Sequence, residues 1–439
     1  MKNKRWNLKG GALREATTLL SGSVVAQAIA FVAYFVLLRI YSAEDYGLYS
    51  IFASYIEVII ILSTCKYELA IVPAATDREA ATISRFALRL NAIVSLALLA
   101  ILSVLTLTGN LPGKFARLGT TALLIAPTVF FSGTTRIYGE LYNRHHRYRT
   151  IAAADVTASG GSATLKTLFG LAGLHIAGMP LGALLGQAAA NTLYRARLGR
   201  DCGWRSGATT WPADDAATEP RCRRQPLSAY RNYPLYVAPK DLVNSLSANL
   251  PFIWLALHFD NAVVGLFGLA VTFIVRPTQT LGTVFERVLS ARSAEAVREG
   301  RRLTPMLRRF LLPLLAAALA AALLLWFVAA PLFALLFGGG WAGCAPYVRA
   351  LLPWAVANVG ALSLMYMPNI FGTQRTELVL NVVRLLLRAA AIAVGIATAN
   401  FLLAVWLFSA ASALVAVALT VWYVAQARSH DSRMAAPTA

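Results

Sequence analysis

Charge is scarce in this sequence: Asp, Glu, Lys and Arg make up 14% of its 439 residues, where a soluble domain carries about 25%. The shortage argues against an ordinary soluble globule. With 58% hydrophobic residues and a mean hydropathy of +0.60, it places the chain among polytopic helical membrane proteins. Acidic residues are scarcer still, 20 against 40 Lys and Arg, for a formal charge of +20. On a soluble face that excess would mark a nucleic-acid footprint. Here the basic residues sit in short loops between apolar runs, so membrane topology is the cause and no nucleic-acid partner is expected. The four cysteines form neither a disulfide framework nor a metal-ligand spacing, since Cys65 and Cys344 lie at span ends and Cys202 and Cys222 in a basic loop. There is no glycine-rich phosphate loop and no nucleophile elbow. No catalytic residue, cofactor or metal site is therefore expected, and the chain reads as a protein other than an enzyme. Its longest outer loop, about 329–345, is short for a membrane polymerase that would act on saccharide outside the bilayer.

What the sequence does have is long apolar runs. A span needs about 20 such residues, and twelve candidates fit: 16–38, 47–63, 86–107, 118–140, 151–174, 176–194, 235–257, 263–285, 307–328, 346–368, 377–398 and 400–426. The first follows a basic start, as in a signal peptide, but it is too long for one and many spans follow, so it reads as an uncleaved helix. Between the spans, one side receives almost every Lys and Arg, while the other has only Arg39, Lys114, Arg117 and Arg349. The basic side faces the cytoplasm, which puts both termini there. The fold expected is all-α, with about twelve transmembrane helices in two six-helix lobes. Residues 1–195 make the N-terminal lobe, 196–234 a cytoplasmic linker, 235–428 the C-terminal lobe and 429–439 a cytoplasmic tail. The linker contains a solvated Trp-Pro-Ala-Asp-Asp stretch from residue 211. The halves also look duplicated: Gly47-Leu48-Tyr49 and Gly265-Leu266-Phe267 open corresponding helices 218 residues apart. Six spans per half make that a parallel repeat, a transporter plan whose site lies between the halves.

Five cations fall inside the spans: Lys166, Lys240, Arg276, Arg384 and Arg388. At about 1.5 Å per residue, Arg276 lies roughly 14 Å and Arg388 roughly 16 Å from a helix end. A central Arg or Lys costs about 2.5–3.5 kcal/mol on insertion scales, so it should face a partner or a wet cavity. Helical spacing organises the polar residues around them. Asp155, Ser159, Ser162 and Lys166 share a face of the fifth span; Thr272, Arg276, Gln279 and Thr283 one of the eighth; Glu377, Asn381, Arg384 and Arg388 one of the eleventh. Lys240, Asn244 and Ser247 do so in the seventh, and Ser50, Ser54 and Glu57 in the second. Such stripes surround an aqueous cleft, or else serve as interhelical glue. Lys166 has Asp155 or Glu57 for a partner and Arg384 has Glu377, whereas Arg276 and Arg388 lack a nearby acid on their own helices. A ligand role is favoured for that pair. Glu57 is a counter-ion or a cation-coupling carboxylate, and Asp155 is the other candidate.

Four stretches carry a resemblance to a known family: Tyr41-Ser42-Ala43-Glu44-Asp45-Tyr46-Gly47-Leu48-Tyr49, Lys66-Tyr67-Glu68-Leu69-Ala70-Ile71-Val72, Tyr230-Arg231-Asn232-Tyr233-Pro234 and Leu336-Phe337-Gly338-Gly339-Gly340-Trp341. With the span count and the central linker, the chain resembles the polysaccharide-transport (Wzx-type, O-antigen) flippases. These belong to the multidrug/oligosaccharidyl-lipid/polysaccharide (MOP) exporter superfamily, with the multidrug and toxin extrusion (MATE) transporters and the lipid II flippases. Near Gly339 the family often carries an acidic residue, and this chain does not. The resemblance implies two lobes around a V-shaped cavity, working by alternating access in the bacterial inner membrane. It implies an undecaprenyl-pyrophosphate-linked oligosaccharide as substrate, on the way to O-antigen, capsule or exopolysaccharide. Membrane lipids, a coupling sodium ion or proton, and polysaccharide polymerase or chain-length proteins are the partners it implies. Arg suits a pyrophosphate because its fork binds phosphate oxygens in pairs. The rival on the same fold is an exporter of cationic drugs, for which buried carboxylates rather than buried cations would be expected.

Overall fold

Ser42 starts the second span by capping it. Its hydroxyl accepts a hydrogen bond from the Asp45 amide at 3.2 Å, and Asp45 Oδ2 accepts one from the Ser42 amide at 3.1 Å, satisfying amides that a helix start leaves over. The computed structural model describes residues 32–110, 118–202, 230–298 and 300–435, and no strand occurs among them. The first six helices are α1 (32–40), α2 (Ala43–Thr64), α3 (Asp77–Leu107), α4 (Ile125–Arg144), α5 (Tyr148–Leu171) and α6 (His175–Cys202). Then come α7 (233–258) and α8 (261–298), which contain π-helical turns at Tyr233–Val237, Pro251–Leu255 and Val271–Val275. The last are α9 (Leu303–Phe337), α10 (Ala345–Ser363), α11 (Gln374–Ala397) and α12 (Phe401–Ala435), with a short helix, Met367–Phe371, after α10.

These twelve segments fall on the twelve apolar runs. Among the described residues six stretches, in α2, α3, α8, α9, α11 and α12, are long and apolar enough to cross a membrane by length and composition. The helices overrun the apolar runs where polar caps extend them: α3 begins at Asp77 because the Thr76 hydroxyl accepts from the Glu79 amide at 3.2 Å. Hydropathy marks the part of a helix suited to lipid and is blind to the rest. Most of the expected first span, Lys114, Arg117 and most of the linker, Cys222 included, lie outside the described residues.

The chain forms two compact units, Met1–Leu242 and Val243–Ala439. In the first, Ile83, Ala87, Tyr138, Tyr142, Ala190 and Tyr194 form a core across α3, α4 and α6, and Tyr142 donates to the Tyr194 carbonyl at 2.7 Å. α5 and α6 approach through small residues: a Cβ on Gly186 would sit 2.7 Å from both the Ala158 carbonyl oxygen and Ser162 Cβ. In a bilayer such contact and hydrogen bonding bind helices, because lipid tails remove the hydrophobic drive. In the second unit, Leu289, Leu307, Leu364, Met367, Leu419 and Tyr423 form the core, and Ser293 shares a hydrogen bond with Tyr366 at 2.7 Å.

Each unit repeats the architecture of the other. A six-residue 3-10 segment beginning with glycine precedes α4 (Gly119–Leu124) and again α10 (Gly339–Cys344), 220 residues later. α4 packs against α2, α3 and α6, and α10 against α8, α9 and α12; α5 pairs with α6 as α11 does with α12. α2 and the Asn261–Gly282 part of α8 are half-buried, while the apolar parts of α3 and α9 are mostly exposed. The duplication expected from a single tripeptide thus extends through every helix pair named.

Candidate functional site

In the first unit α5 carries Lys166 and Asp155. Lys166 is 8% exposed; its ammonium donates to the Tyr49 hydroxyl of α2 at 2.8 Å and lies 4.3 Å from that ring's centroid. It therefore pairs with neither of the carboxylates that the sequence offered. The Lys166 carbonyl accepts from Tyr41 at 2.8 Å, and a Cβ on Gly182 of α6 would fall 2.5 Å from Lys166 Cγ. The lysine is held between α2 and α6. Asp155 is half-buried, and Ser162 packs on Gly186, so this stripe is largely interhelical packing. On α2, Ser50 and Ser54 donate to their own helix at 2.8 Å, and Glu57 is exposed.

Lys240, half-buried near the start of α7, adjoins Asp241. Asp241 pairs with Lys66 at 2.8 Å, and Glu68 lies 4.0 Å from the same ammonium. Lys66 has φ +61, a left-handed turn that ends α2 and aims the ammonium at α7. The neighbouring loop is held by Arg144, whose Nη1 donates to the carbonyls of Ile71, Val72 and Ala74 at 3.2, 2.9 and 2.6 Å, while Nε meets Asp77 at 2.7 Å. Tyr230 packs on the same core beside Tyr233. Burial, then a hydrogen bond with Glu79, pushes the Tyr230 phenol up to about 12.

In the second unit the α7 and α11 stripes meet each other. Arg384 Nη2 donates to Asn244 Oδ1 at 3.0 Å, and Arg388 Nη1 donates to the Ser247 hydroxyl at 3.0 Å and its carbonyl at 3.2 Å. Arg388 Nε also donates to the Ser412 hydroxyl of α12 at 2.7 Å. Its guanidinium carbon lies 4.9 Å from the Trp354 ring centroid and 4.7 Å from that of Phe408. Arg388 is 3% exposed, with hydrogen bonds and ring faces replacing a carboxylate. Arg384 is half-buried, and its Nε is a buried donor without a partner among the described residues. Glu377, one face and two turns away, supplies opposite charge to it. Arg276 differs from both, because it is exposed directly after the π-turn Val271–Val275. Such turns often accompany functional positions.

The structure thus joins Arg384 and Arg388 in one network and holds Lys166 in another, with Arg276 and Glu57 exposed elsewhere. Sequence reasoning missed Tyr49, Trp354, Phe408 and Ser412, the groups that hold the two most buried cations. Tyr49 stands in the Gly-Leu-aromatic repeat without a site role, and the only signal of the other three is type, an aromatic or hydroxyl in an apolar helix. Among the described residues no group of three His, Cys, Asp or Glu side chains is placed to hold a metal.

A family model described as "Polysaccharide biosynthesis protein" matches residues 36–346. No curated protein matches the chain significantly. Among solved structures, an inward-facing multidrug resistance MATE family transporter of the MOP superfamily is similar at TM-score 0.71 and 16% identity, over 97% of this chain and 100% of the other. The lipid II flippase MurJ in an inward closed conformation is similar at TM-score 0.71 and 10% identity, over 95% and 90%. A MOP superfamily transporter from Pyrococcus furiosus, described by a binding pocket of reversed polarity, is similar at TM-score 0.62 and 15% identity, over 95% of each chain. With the family model covering most of its length, the chain belongs to the polysaccharide biosynthesis protein family, and its fold is similar to those of a MOP-superfamily multidrug transporter and a lipid II flippase.

Proposed function

We propose that the protein flips undecaprenyl-pyrophosphate-linked oligosaccharide repeat units across the bacterial inner membrane, by alternating access, for surface polysaccharide synthesis. The observation that carries this reading is the set of cations inside the helices of a polysaccharide-biosynthesis family member. A pyrophosphate is a compact anion, and guanidinium groups in a poorly screened interior bind it strongly. Arg276 and Arg384 are the proposed first contacts, since one is exposed and the other has an Nε with no partner among the described residues. Arg388, Lys166 and Lys240 add positive potential from packed or partly covered positions. Glu57 and Asp155 are the proposed sites for a coupling proton or sodium ion. The Lys and Arg bias of the loops supports termini in the cytoplasm.

A multidrug transporter shares the fold at the same TM-score as the lipid II flippase, so cationic drug export is the second reading. One experiment separates them. In cells lacking the gene, lipid-linked repeat units accumulate on the cytoplasmic leaflet if the flippase reading holds. Unchanged leaflet distribution with reduced dye efflux would establish the other.

A further inference from the structure

Where α8 turns into α9, a cavity of about 570 Å³ is lined by Arg292, Pro305, Met306, Arg309 and Phe310. It lies apart from every candidate cation described above. Arg292 comes from the end of α8, and its guanidinium carbon stands 4.9 Å from the Phe310 ring centroid, which orients the group across the cavity. Arg309 is exposed one helical turn from Pro305. Among the described residues neither arginine pairs with a carboxylate, even though Glu295 stands three residues from Arg292 on the same helix. The nearby start of α9 does not supply the anion site: Asp431 of α12 already accepts from the Leu303 and Thr304 amides at 2.7 and 2.9 Å. The two guanidinium groups share the cavity with the apolar Pro305, Met306 and Phe310.

Below the cavity the surface changes character. Arg309, Leu312, Leu319 and Leu323 follow helical steps of three, seven and four residues and so share one face of α9. The three leucines are 62%, 52% and 56% exposed, in the helix whose apolar stretch the protein buries least. A pocket bearing two arginines therefore sits at the head of an apolar face long enough for acyl chains. We propose that this pocket binds one anionic phospholipid, its phosphodiester held between Arg292 and Arg309 and its chains lying along α9. Charge complementarity at the top and the exposed leucine stripe beneath it select a lipid over a soluble anion. Basic pockets at helix ends on the cytoplasmic side of membrane proteins suit such headgroups.

The test uses the full-length protein in detergent, equilibrated with equal amounts of phosphatidylglycerol and phosphatidylcholine of matched chains, with retained lipid read by native mass spectrometry. The wild type is expected to retain one phosphatidylglycerol in preference to phosphatidylcholine. Arg292→Ala and Arg309→Ala should each lower that retention about fivefold. Arg308→Ala, an exposed arginine outside the pocket, should leave it unchanged. Arg292→Lys/Arg309→Lys keeps the charge and should stay within about twofold of wild type, which separates lost binding from lost folding. Equal retention of both lipids by the wild type, or equal losses in the pocket variants and in Arg308→Ala, would overturn the site. Displacement of the bound lipid by millimolar inorganic phosphate would assign the pocket to a soluble anion. Displacement by an equal amount of polyprenyl phosphate would assign it to the carrier lipid. Either result also overturns the proposal.

Discussion

At the scale of single residues, burial separates the intramembrane cations, with Arg384 and Lys240 half-buried between two extremes. Arg388 and Lys166 are held by hydroxyls and ring faces, and Arg276 is exposed. Removing each should therefore have a different signature. Arg388→Ala takes away three hydrogen bonds from a charged group and two ring contacts, a destabilisation of about 2–4 kcal/mol that thermal unfolding in detergent would register. Arg276→Ala should unfold at the wild-type temperature while transport falls at least about tenfold, a loss of about 1.4 kcal/mol of substrate interaction. A normal unfolding temperature for Arg388→Ala would show that its network does not bear on stability. Cys65 offers a check on the loop at the end of α2. Burial first, and the Glu68 carboxylate second, push its thiol up, so little thiolate is present at neutral pH and maleimide labelling should be slow. Labelling should accelerate as pH rises, and Glu68→Gln should speed it at a fixed pH in a variant retaining Cys65 alone. The positions of these cations, and the faces they share, were legible in the sequence. Their partners were not, because spacing along one helix identifies a face and carries no information about which helix covers it.

At the scale of elements, the stretches that resemble the family turn out to build joints. Ser42 and Asp45 cap α2, and Tyr41 ties it to α5 through the Lys166 carbonyl. The Lys66–Val72 stretch forms the turn after α2 that reaches Asp241 of α7. Gly338, at φ +100, ends α9, and Trp341 is buried in the 3-10 segment that follows. Arg144 holds the loop between α2 and α3 by three carbonyls and a carboxylate. Arg144→Ala should lower stability by about 2–4 kcal/mol, and Arg144→Lys should recover less than half of that, since one ammonium cannot reproduce a planar fork. Equal stability of the alanine variant and the wild type would mean the loop is held by its packing alone. The helices were legible because each span has to be long and apolar. The caps that lengthen them are polar and local, so a hydropathy scan passes over α3 from Asp77 to Arg85.

At the scale of the molecule, the even count of spans and the half-chain repeat were legible in the sequence, and the second was legible only faintly. Gly-Leu-aromatic is three residues, whereas the pairing of α4 with α2, α3 and α6, matched by α10 with α8, α9 and α12, involves whole helices. Helix packing depends on small residues scattered over many turns, such as Gly182 and Gly186, and has no contiguous signature. Substrate chemistry is hardest to read at this scale, because one fold serves multidrug transporters and a lipid II flippase alike. The discriminating quantity is movement of the lipid-linked sugar itself. In proteoliposomes loaded with undecaprenyl-pyrophosphate-linked oligosaccharide, the fraction that an externally added glycosidase can cleave should rise with time only when the protein is present. With Arg276→Ala protein it should rise no faster than in empty vesicles. An unchanged cleavable fraction in the presence of folded wild-type protein, together with export of a cationic dye, would contradict the flippase assignment.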